Sequence, residues 1–281
     1  VLIPCTSGTA AYNFAPAVAE DYFSQPPLII FTADRPAAWI AQHDGQTIFQ
    51  ADIFGKHVKK SFQLPEDHEN PDSKWAINRM VNEAINLSAQ EPKGPVHINA
   101  PFREPLYPAK GEQTTFSPDI RFIREHLPSH LPGKDQKEFV RREWNSFKKI
   151  LIVAGQQDHN AYLTGILAQL SVSHGIPVAG DIISNIHGSE EMILHTDLFL
   201  GQAPDPVKKT LQPDLLITFG KSLVSKNLKL FLRKYHPSAH WHVQPAGIAA
   251  DPFKNVTNIF HTSPVDFFEF IANLPGVKEF D

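Results

Sequence analysis

Uninterrupted apolar runs separated by helical patterns are the feature of this sequence that most constrains its fold. Such runs lack the alternation of a strand with one face in water, and they are typical of strands buried on both faces of a parallel sheet. The runs lie at 27–33, 94–99, 149–155 and 214–220. Because strands that alternate with helices build parallel sheets, we predict an α/β fold with parallel sheets.

Weaker patterns supply the remaining predicted elements. Residues 10–24 are predicted to be helical, with Pro16 bending or restarting the helix, and 72–90 is an amphipathic helix with Asp72 or Ser73 as its N-cap. Further helices are predicted at 134–147, 158–173, 223–235 and 264–273, and shorter strands at 58–64, 176–178, 240–243 and 259–262.

The α/β pattern is interrupted at 101–133, where six prolines are mixed with polar residues. Such a composition is typical of an extended linker. We therefore predict a first α/β domain at 1–108, a proline-rich linker at 109–133 and a second α/β domain at 134–281. The chain opens on an apolar run that turns at once into a polar loop, so we expect the first sheet to be incomplete.

Composition excludes several function classes. The 281 residues carry a net charge of -4, which gives no reason to expect nucleic acid or an anionic membrane as partner. No apolar stretch approaches a membrane span and no signal peptide is evident, so we expect a cytoplasmic protein. The single cysteine, Cys5, excludes an internal disulfide, and the 14 histidines lack metal-binding spacing, so we expect no metal site in this chain.

Polar residues follow three of the predicted strands, where α/β sheets bind their ligands. The turn Ser7–Thr9 precedes a helix and offers N–H groups to an anion. Arg35 follows the second strand and suits bidentate carboxylate binding, and Gln46 lies in the glycine-containing loop beyond it. Lys221 and Lys226 follow the strand at 214–220. Dinucleotide, P-loop and Gly-x-Ser-x-Gly fingerprints are absent, so these residues favour a site for small carboxylate-bearing molecules without naming one.

Longer motifs narrow this choice. The segments TSGTAAYNFAPAVAED, PLIIFTADRP, DGQTIFQ and GPVHINAPFREPLYP occur in this order within residues 1–108. Together they resemble the 2-succinyl-5-enolpyruvyl-6-hydroxy-3-cyclohexene-1-carboxylate (SEPHCHC) synthases, a family of thiamine-diphosphate enzymes. GDIISN and GKSLVSKNLK resemble the central domain of the same family. The resemblance implies that this chain is an internal fragment: the second half of a pyrimidine-binding domain, then a central domain, without the diphosphate-binding domain.

The resemblance also implies an activity. Family members decarboxylate 2-oxoglutarate on thiamine diphosphate and add the succinyl-semialdehyde carbanion to isochorismate, a step of menaquinone biosynthesis. They use Mg2+ or Mn2+ and assemble as homodimers or homotetramers. The activating glutamate lies upstream of the TSGT motif and the metal-binding segment lies in the third domain. We therefore expect no catalytic residue here, no tightly bound cofactor and no activity from this chain alone.

Matched motif to motif, the resemblance implies two groups of site residues. The cofactor-binding residues would be Ser7, Gly8, Thr9 and Asn13. The substrate-binding residues would be Arg35, Gln46, Lys226 and Asn227, although relatives commonly carry a basic residue at the last position. Two alternatives stay open: another thiamine-diphosphate decarboxylase or ligase resembling acetolactate synthase, and a non-catalytic binding protein that retains two family domains.

Overall fold

The chain forms two compact units, Val1–Pro128 and Ser129–Asp281. The structure is a computed structural model that describes residues 1–104, 110–111, 120–123, 125 and 132–275. Both units contain a parallel sheet flanked by helices, which confirms the predicted fold class.

The first unit is built on a four-stranded sheet. Its strands are β1 (Leu2–Cys5), β2 (Leu28–Asp34), β3 (Ser61–Gln63) and β4 (Pro95–Pro101), in the order β1-β2-β4-β3 and all parallel. The helices are α1 (Ala15–Ser24) and α2 (Pro71–Ala89). A 3-10 turn at Thr9–Phe14 precedes α1. Pro16 lies in the first turn of α1, where its missing N–H costs nothing, so the predicted restart at this residue is confirmed.

The second unit is built on a six-stranded parallel sheet. Its strands are β5 (Ile150–Ala154), β6 (Val178–Gly180), β7 (Met192–Ile193), β8 (Leu215–Phe219), β9 (Ala239–Gln244) and β10 (Asn258–His261), in the order β10-β9-β8-β5-β6-β7. The helices are α3 (Lys134–Trp144), α4 (Ala161–His174), α5 (Thr196–Leu200), α6 (Asp205–Thr210), α7 (Lys226–Lys234) and α8 (Pro264–Ala272). Its core consists mainly of aliphatic side chains, packed together with large aromatic ones such as Trp144, Trp241 and Phe267.

Helix starts differ from the prediction because capping side chains decide them. The N-cap of α2 is Asn70, whose side chain accepts a hydrogen bond from Asp72 N at 2.8 Å, so the prediction of Asp72 or Ser73 was wrong. Helix α7 begins three residues later than predicted because Ser225 caps it and accepts from Leu228 N at 3.2 Å. The short elements β7, α5 and α6 were not predicted, since two to six residues show no clear period.

Within the first unit, a short segment of the predicted linker lies against α2. The Asn82 amide donates to Arg121 O at 2.9 Å and accepts from Ile123 N at 2.8 Å. One turn further, Asn86 donates to Ile123 O at 2.9 Å. The two asparagines are four residues apart and therefore lie on the same face of α2. Their side-chain amides hydrogen-bond to the backbone of residues 121–123. Within the described parts of the chain, no helix is long and apolar enough to cross a membrane.

Both units bury histidines beside a threonine hydroxyl, one in the first unit and two in the second. His97 Nε2 lies 2.8 Å from Thr32 Oγ1 in the first unit. In the second, Thr218 Oγ1 lies 2.8 Å from both His240 Nε2 and His242 Nδ1. Burial lowers the pKa of His97 and that of His240 to about 4, from 6.5. Both imidazoles are therefore neutral in the folded protein at neutral pH.

We predict that acid destabilises both units through these histidines. Because the unfolded chain takes up protons at about pH 6.5 and the folded imidazoles only near 4, the free energy of unfolding falls as pH drops through this window. By pH 4 each histidine should remove about 3 kcal/mol relative to pH 7. Chemical denaturation at several pH values measures the slope. His240→Asn should flatten it by one histidine's share, and an unchanged slope would contradict a neutral His240.

Candidate functional site

The polar loops of the first unit lie at the carboxyl ends of its parallel strands. The turn Thr6–Thr9 follows β1 and Arg35 follows β2. Since β1 pairs with β2, with Cys5 opposite Thr32, both loops leave the same edge of the sheet. In open α/β sheets this edge is where ligands bind.

The loop after β2 closes over Gly8. Gly8 has φ of 90°, a backbone conformation that favours glycine. A Cβ at this position would lie 3.3 Å from Gln46 Cα, so the backbone of the later loop packs directly on the turn. Two residues named by the sequence motifs, Gly8 and Gln46, are thus brought into contact. The Gln46 side chain is exposed.

A buried glutamine fixes this turn. Gln50 is 0% exposed, and its Oε1 accepts a hydrogen bond from Gly8 N at 2.6 Å. Its Nε2 donates to Ala33 O at 2.8 Å and to Asn99 Oδ1 at 3.2 Å. One side chain therefore joins the turn after β1 to the ends of β2 and β4.

Asn99 extends this network to the start of the Arg35 loop. Its Nδ2 donates to Asp34 Oδ2 at 2.7 Å and to Gln63 Oε1 at 2.8 Å, and its Oδ1 accepts from the Thr32 hydroxyl at 2.7 Å. Asp34 in turn accepts from Arg35 N through Oδ1 at 2.8 Å. Side-chain amides and one carboxylate thus connect Gly8 to Arg35 without a gap. We call Gln50, Asn99 and Asp34 the strand-end network.

The Arg35 side chain has partners of its own. Its Nη1 lies 3.4 Å from Glu104 Oε1, and its guanidinium carbon lies 6.0 Å from the centre of the Trp39 ring. Arg103 approaches the same ring at 5.8 Å and pairs with Glu66. The arginine predicted to meet a carboxylate thus already faces one.

The other predicted cofactor residues surround the turn in different environments. Ser7 is buried, whereas Thr9 and Asn13 are exposed on the 3-10 turn that begins at Thr9. Thr9 and Asn13 therefore present hydroxyl and amide groups to the outside of the unit. Within the described residues, no three His, Cys, Asp or Glu side chains come together as a metal site.

In the second unit, Lys226 and Asn227 form the first turn of α7. Asp181 binds the backbone of the two residues that precede this helix, since its Oδ2 accepts from Val224 N at 2.5 Å and from Ser225 N at 3.1 Å. Asp197 Oδ1 accepts from Asn227 N at 2.9 Å. These carboxylates offset the cost of a lysine at a helix N-terminus. The Lys226 side chain is exposed, and the Asn227 amide faces α5, 3.4 Å from Asp197 O.

Sequence reasoning missed Gln50, Asn99 and Glu104. Gln50 and Asn99 lie inside the quoted motifs DGQTIFQ and GPVHINAPFREPLYP, but only their position in the fold shows that Gln50 touches both Gly8 and Asn99. The one local signal was polarity, since Asn99 is a polar residue inside a strand that is buried along its whole length. Such a residue needs buried partners.

A protein-family model and curated relatives both match this chain. The family model described as the middle domain of thiamine pyrophosphate matches residues 123–274. A SEPHCHC synthase of Cytophaga hutchinsonii is 43% identical over 268 residues, which cover 95% of this chain and 46% of that protein. The SEPHCHC synthase of Phocaeicola vulgatus is 37% identical and is matched over 96% of this chain and 47% of its own length. The chain thus spans about half the length of the curated relatives it matches.

A solved structure shows the same fold. It is a putative thiamin diphosphate-dependent enzyme from Mycobacterium smegmatis, which covers 99% of this chain at a TM-score of 0.64 and 13% identity. The match extends over 51% of that enzyme. At this identity the likeness concerns the fold alone.

The strand-end network leads to a stability prediction. Gln50→Met keeps the side-chain size but leaves the buried Gly8 N–H without its acceptor, and it removes a donor from Ala33 O and from Asn99 Oδ1, which keeps the bond from Thr32. Because buried polar groups without partners are costly, the free energy of unfolding of the first unit should fall by about 2–4 kcal/mol. Denaturant titration of the chain measures the loss. Gln42→Met, an exposed position in the same loop, is the matched control, with a change within about 0.5 kcal/mol. Equal stability of the two variants would contradict the network.

Proposed function

This chain belongs to the thiamine pyrophosphate enzyme family, and we propose that it works within a SEPHCHC synthase of menaquinone biosynthesis. The observation that carries the proposal is the 43% identity to a synthase of that name over 95% of this chain. The activity is proposed for a complete enzyme to which this chain contributes two units, because the relatives are about twice as long.

The proposed reaction joins two carboxylate substrates. 2-Oxoglutarate loses carbon dioxide, and the remaining four-carbon unit is added to isochorismate. Thiamine diphosphate, when bound, supplies the carbanion chemistry of both steps, and the protein supplies position and electrostatics. Each substrate carries two carboxylates. We therefore propose that cationic side chains at the strand ends of this chain bind them.

The turn Ser7–Thr9 fits one wall of a cofactor site. Side-chain bulk is excluded at Gly8, because a Cβ there would lie 3.3 Å from Gln46 Cα, so the loop that carries Gln46 packs directly on the turn. The Gly8 N–H is already used by Gln50. This leaves Ser7, Thr9 and Asn13 as the groups proposed to contact the pyrimidine ring. We propose that the activating carboxylate and the Mg2+ or Mn2+ site are supplied by segments outside this chain.

For the substrates we propose Arg35 as the principal carboxylate ligand. Its backbone is held by Asp34 and its guanidinium by Trp39, so a bidentate contact would lose little side-chain entropy. Gln46, exposed beside Gly8, is proposed to line the same pocket. In the second unit Lys226 is proposed to reach substrate. Asn227 is proposed together with it, and its amide faces Asp197.

We further propose a homo-oligomeric enzyme of the cytoplasm. The oligomer is proposed from the resemblance to the SEPHCHC synthases, which assemble as homodimers or homotetramers. Cys5 is a partly buried free thiol, which agrees with a reducing compartment.

We predict that this chain alone does not bind thiamine diphosphate tightly. The diphosphate and the metal ion would have no ligands in it, and the hydrogen bonds from the turn at Ser7–Thr9 are too few for micromolar affinity. Calorimetric titration of the chain with thiamine diphosphate and Mg2+ measures this, with the complete polypeptide as the positive control. Micromolar binding by the chain alone would overturn the proposed division of the cofactor site.

A second prediction concerns Arg35 in the complete polypeptide. Arg35→Ala should lower kcat/KM for isochorismate by about 30- to 1,000-fold, or about 2–4 kcal/mol, through loss of a charge-assisted carboxylate contact. Arg35→Lys should recover part of it, since lysine keeps the charge without the fork. The free energy of unfolding should fall by no more than about 1 kcal/mol, because the partner Glu104 is exposed.

Arg79→Ala is the matched control for this prediction. Arg79 is a half-exposed arginine on α2 that pairs with Glu83, and its loss should leave kcat/KM within about twofold. Normal kinetics of Arg35→Ala combined with a large fall in melting temperature would instead make Arg35 a structural ion-pair residue.

A further inference from the structure

The ion pair between Arg35 and Glu104 is unequal. The Arg35 side chain is 14% exposed and that of Glu104 is 60% exposed, with Nη1 and Oε1 3.4 Å apart. The cation is therefore part of the folded unit, whereas the carboxylate approaches it from the solvent side.

The surroundings of the two residues explain this difference. Arg35 directly follows β2, its N–H is bound by Asp34, the next residue is a proline, and its guanidinium lies over Trp39. Glu104 lies three residues beyond the end of β4. Within the described part of the chain, Arg35 is the one partner seen for its carboxylate. Among the described residues, the pair thus combines a mostly buried guanidinium with an exposed carboxylate that has no second partner.

A half-exposed ion pair contributes little net stability, because water solvates the carboxylate almost as well as the arginine does. Another carboxylate can therefore take its place at small cost. Arg35 and Glu104 meet through one approach, Nη1 to Oε1 at 3.4 Å, so the Glu104 carboxylate lies beside the guanidinium that a carboxylate ligand would bind.

We propose that Glu104 is an internal competitor, a carboxylate that fills the anion-binding position of Arg35 until a carboxylate ligand displaces it. This inference rests on the proposed function, in which Arg35 binds substrate carboxylate. Glu104 acts through Arg35 and sets ligand affinity: the measured dissociation constant equals the intrinsic one divided by the fraction of molecules in which the guanidinium is free of Glu104. After displacement, the Glu104 carboxylate stays near the bound anion and repels it. This repulsion lowers the affinity for anions that Arg35 binds weakly.

The test uses succinate as the carboxylate probe on the chain itself. Trp39 reports on Arg35, and the four tryptophans give four indole N–H signals in an NMR spectrum, of which Trp39→Phe identifies one. Succinate is titrated at constant ionic strength, and the shift of the Trp39 signal gives the half-saturating concentration. Glu104→Gln should lower it by about 3- to 10-fold. Glu66→Gln, which removes the partner of Arg103, is the matched control and should leave it unchanged.

The outcomes separate this inference from the proposed function. If Arg35→Ala abolishes the shift and Glu104→Gln does not strengthen binding, the competitor role is wrong while the carboxylate role of Arg35 stands. If succinate shifts the Trp39 signal of Arg35→Ala as it shifts that of the parent, the competitor role of Glu104 and the carboxylate role of Arg35 are both wrong. Turnover by the complete polypeptide is read independently of either result. In that enzyme Glu104→Gln should lower KM for the substrate at Arg35 with little change in kcat, and a loss of kcat would contradict the competitor role.

Discussion

The Gln50 amide is the contact on which the geometry of the first unit depends. It accepts from Gly8 N and donates to Ala33 O and Asn99 Oδ1, so three chain segments that are distant in sequence share one side chain. An amide is suited to this because it offers both a donor group and an acceptor in one plane. Burial makes the arrangement obligatory, since each group left without a partner would cost about 1–3 kcal/mol.

The network also explains why the proposed site lies where it does. Parallel strands bring their carboxyl ends to one edge, but they do not by themselves order the loops that follow. Asn99 and Asp34 extend the amide contacts to the N–H of Arg35, so the turn at Gly8 and the guanidinium loop are held by the same set of bonds. Asp34 accepts from two donors, which compensates for burying its charge. A preorganised loop pair is what recognition of a planar cofactor and a carboxylate requires.

Sequence patterns predicted the structural features that depend only on residues close together in the chain. The strands β2, β5 and β8 were predicted because their apolar runs need no partner to be recognised, and Arg35 was named as a candidate because it directly follows a strand. Gln50 was not, because its partners lie 42, 17 and 49 residues away. Glu104 was missed for the same reason, as its partner Arg35 is brought close by the pairing of β2 with β4.

Hydrogen exchange at a single amide tests this account most directly. Gly8 N–H lies in a loop, and a loop amide open to water exchanges quickly. If Gln50 holds it inside the unit, its protection should match that of the amides of β2, such as Ile30, because both are then released only when the unit opens. Exchange of Gly8 as fast as that of the exposed loop residue Gln42 would contradict the network and, with it, the joint placement of the two loops.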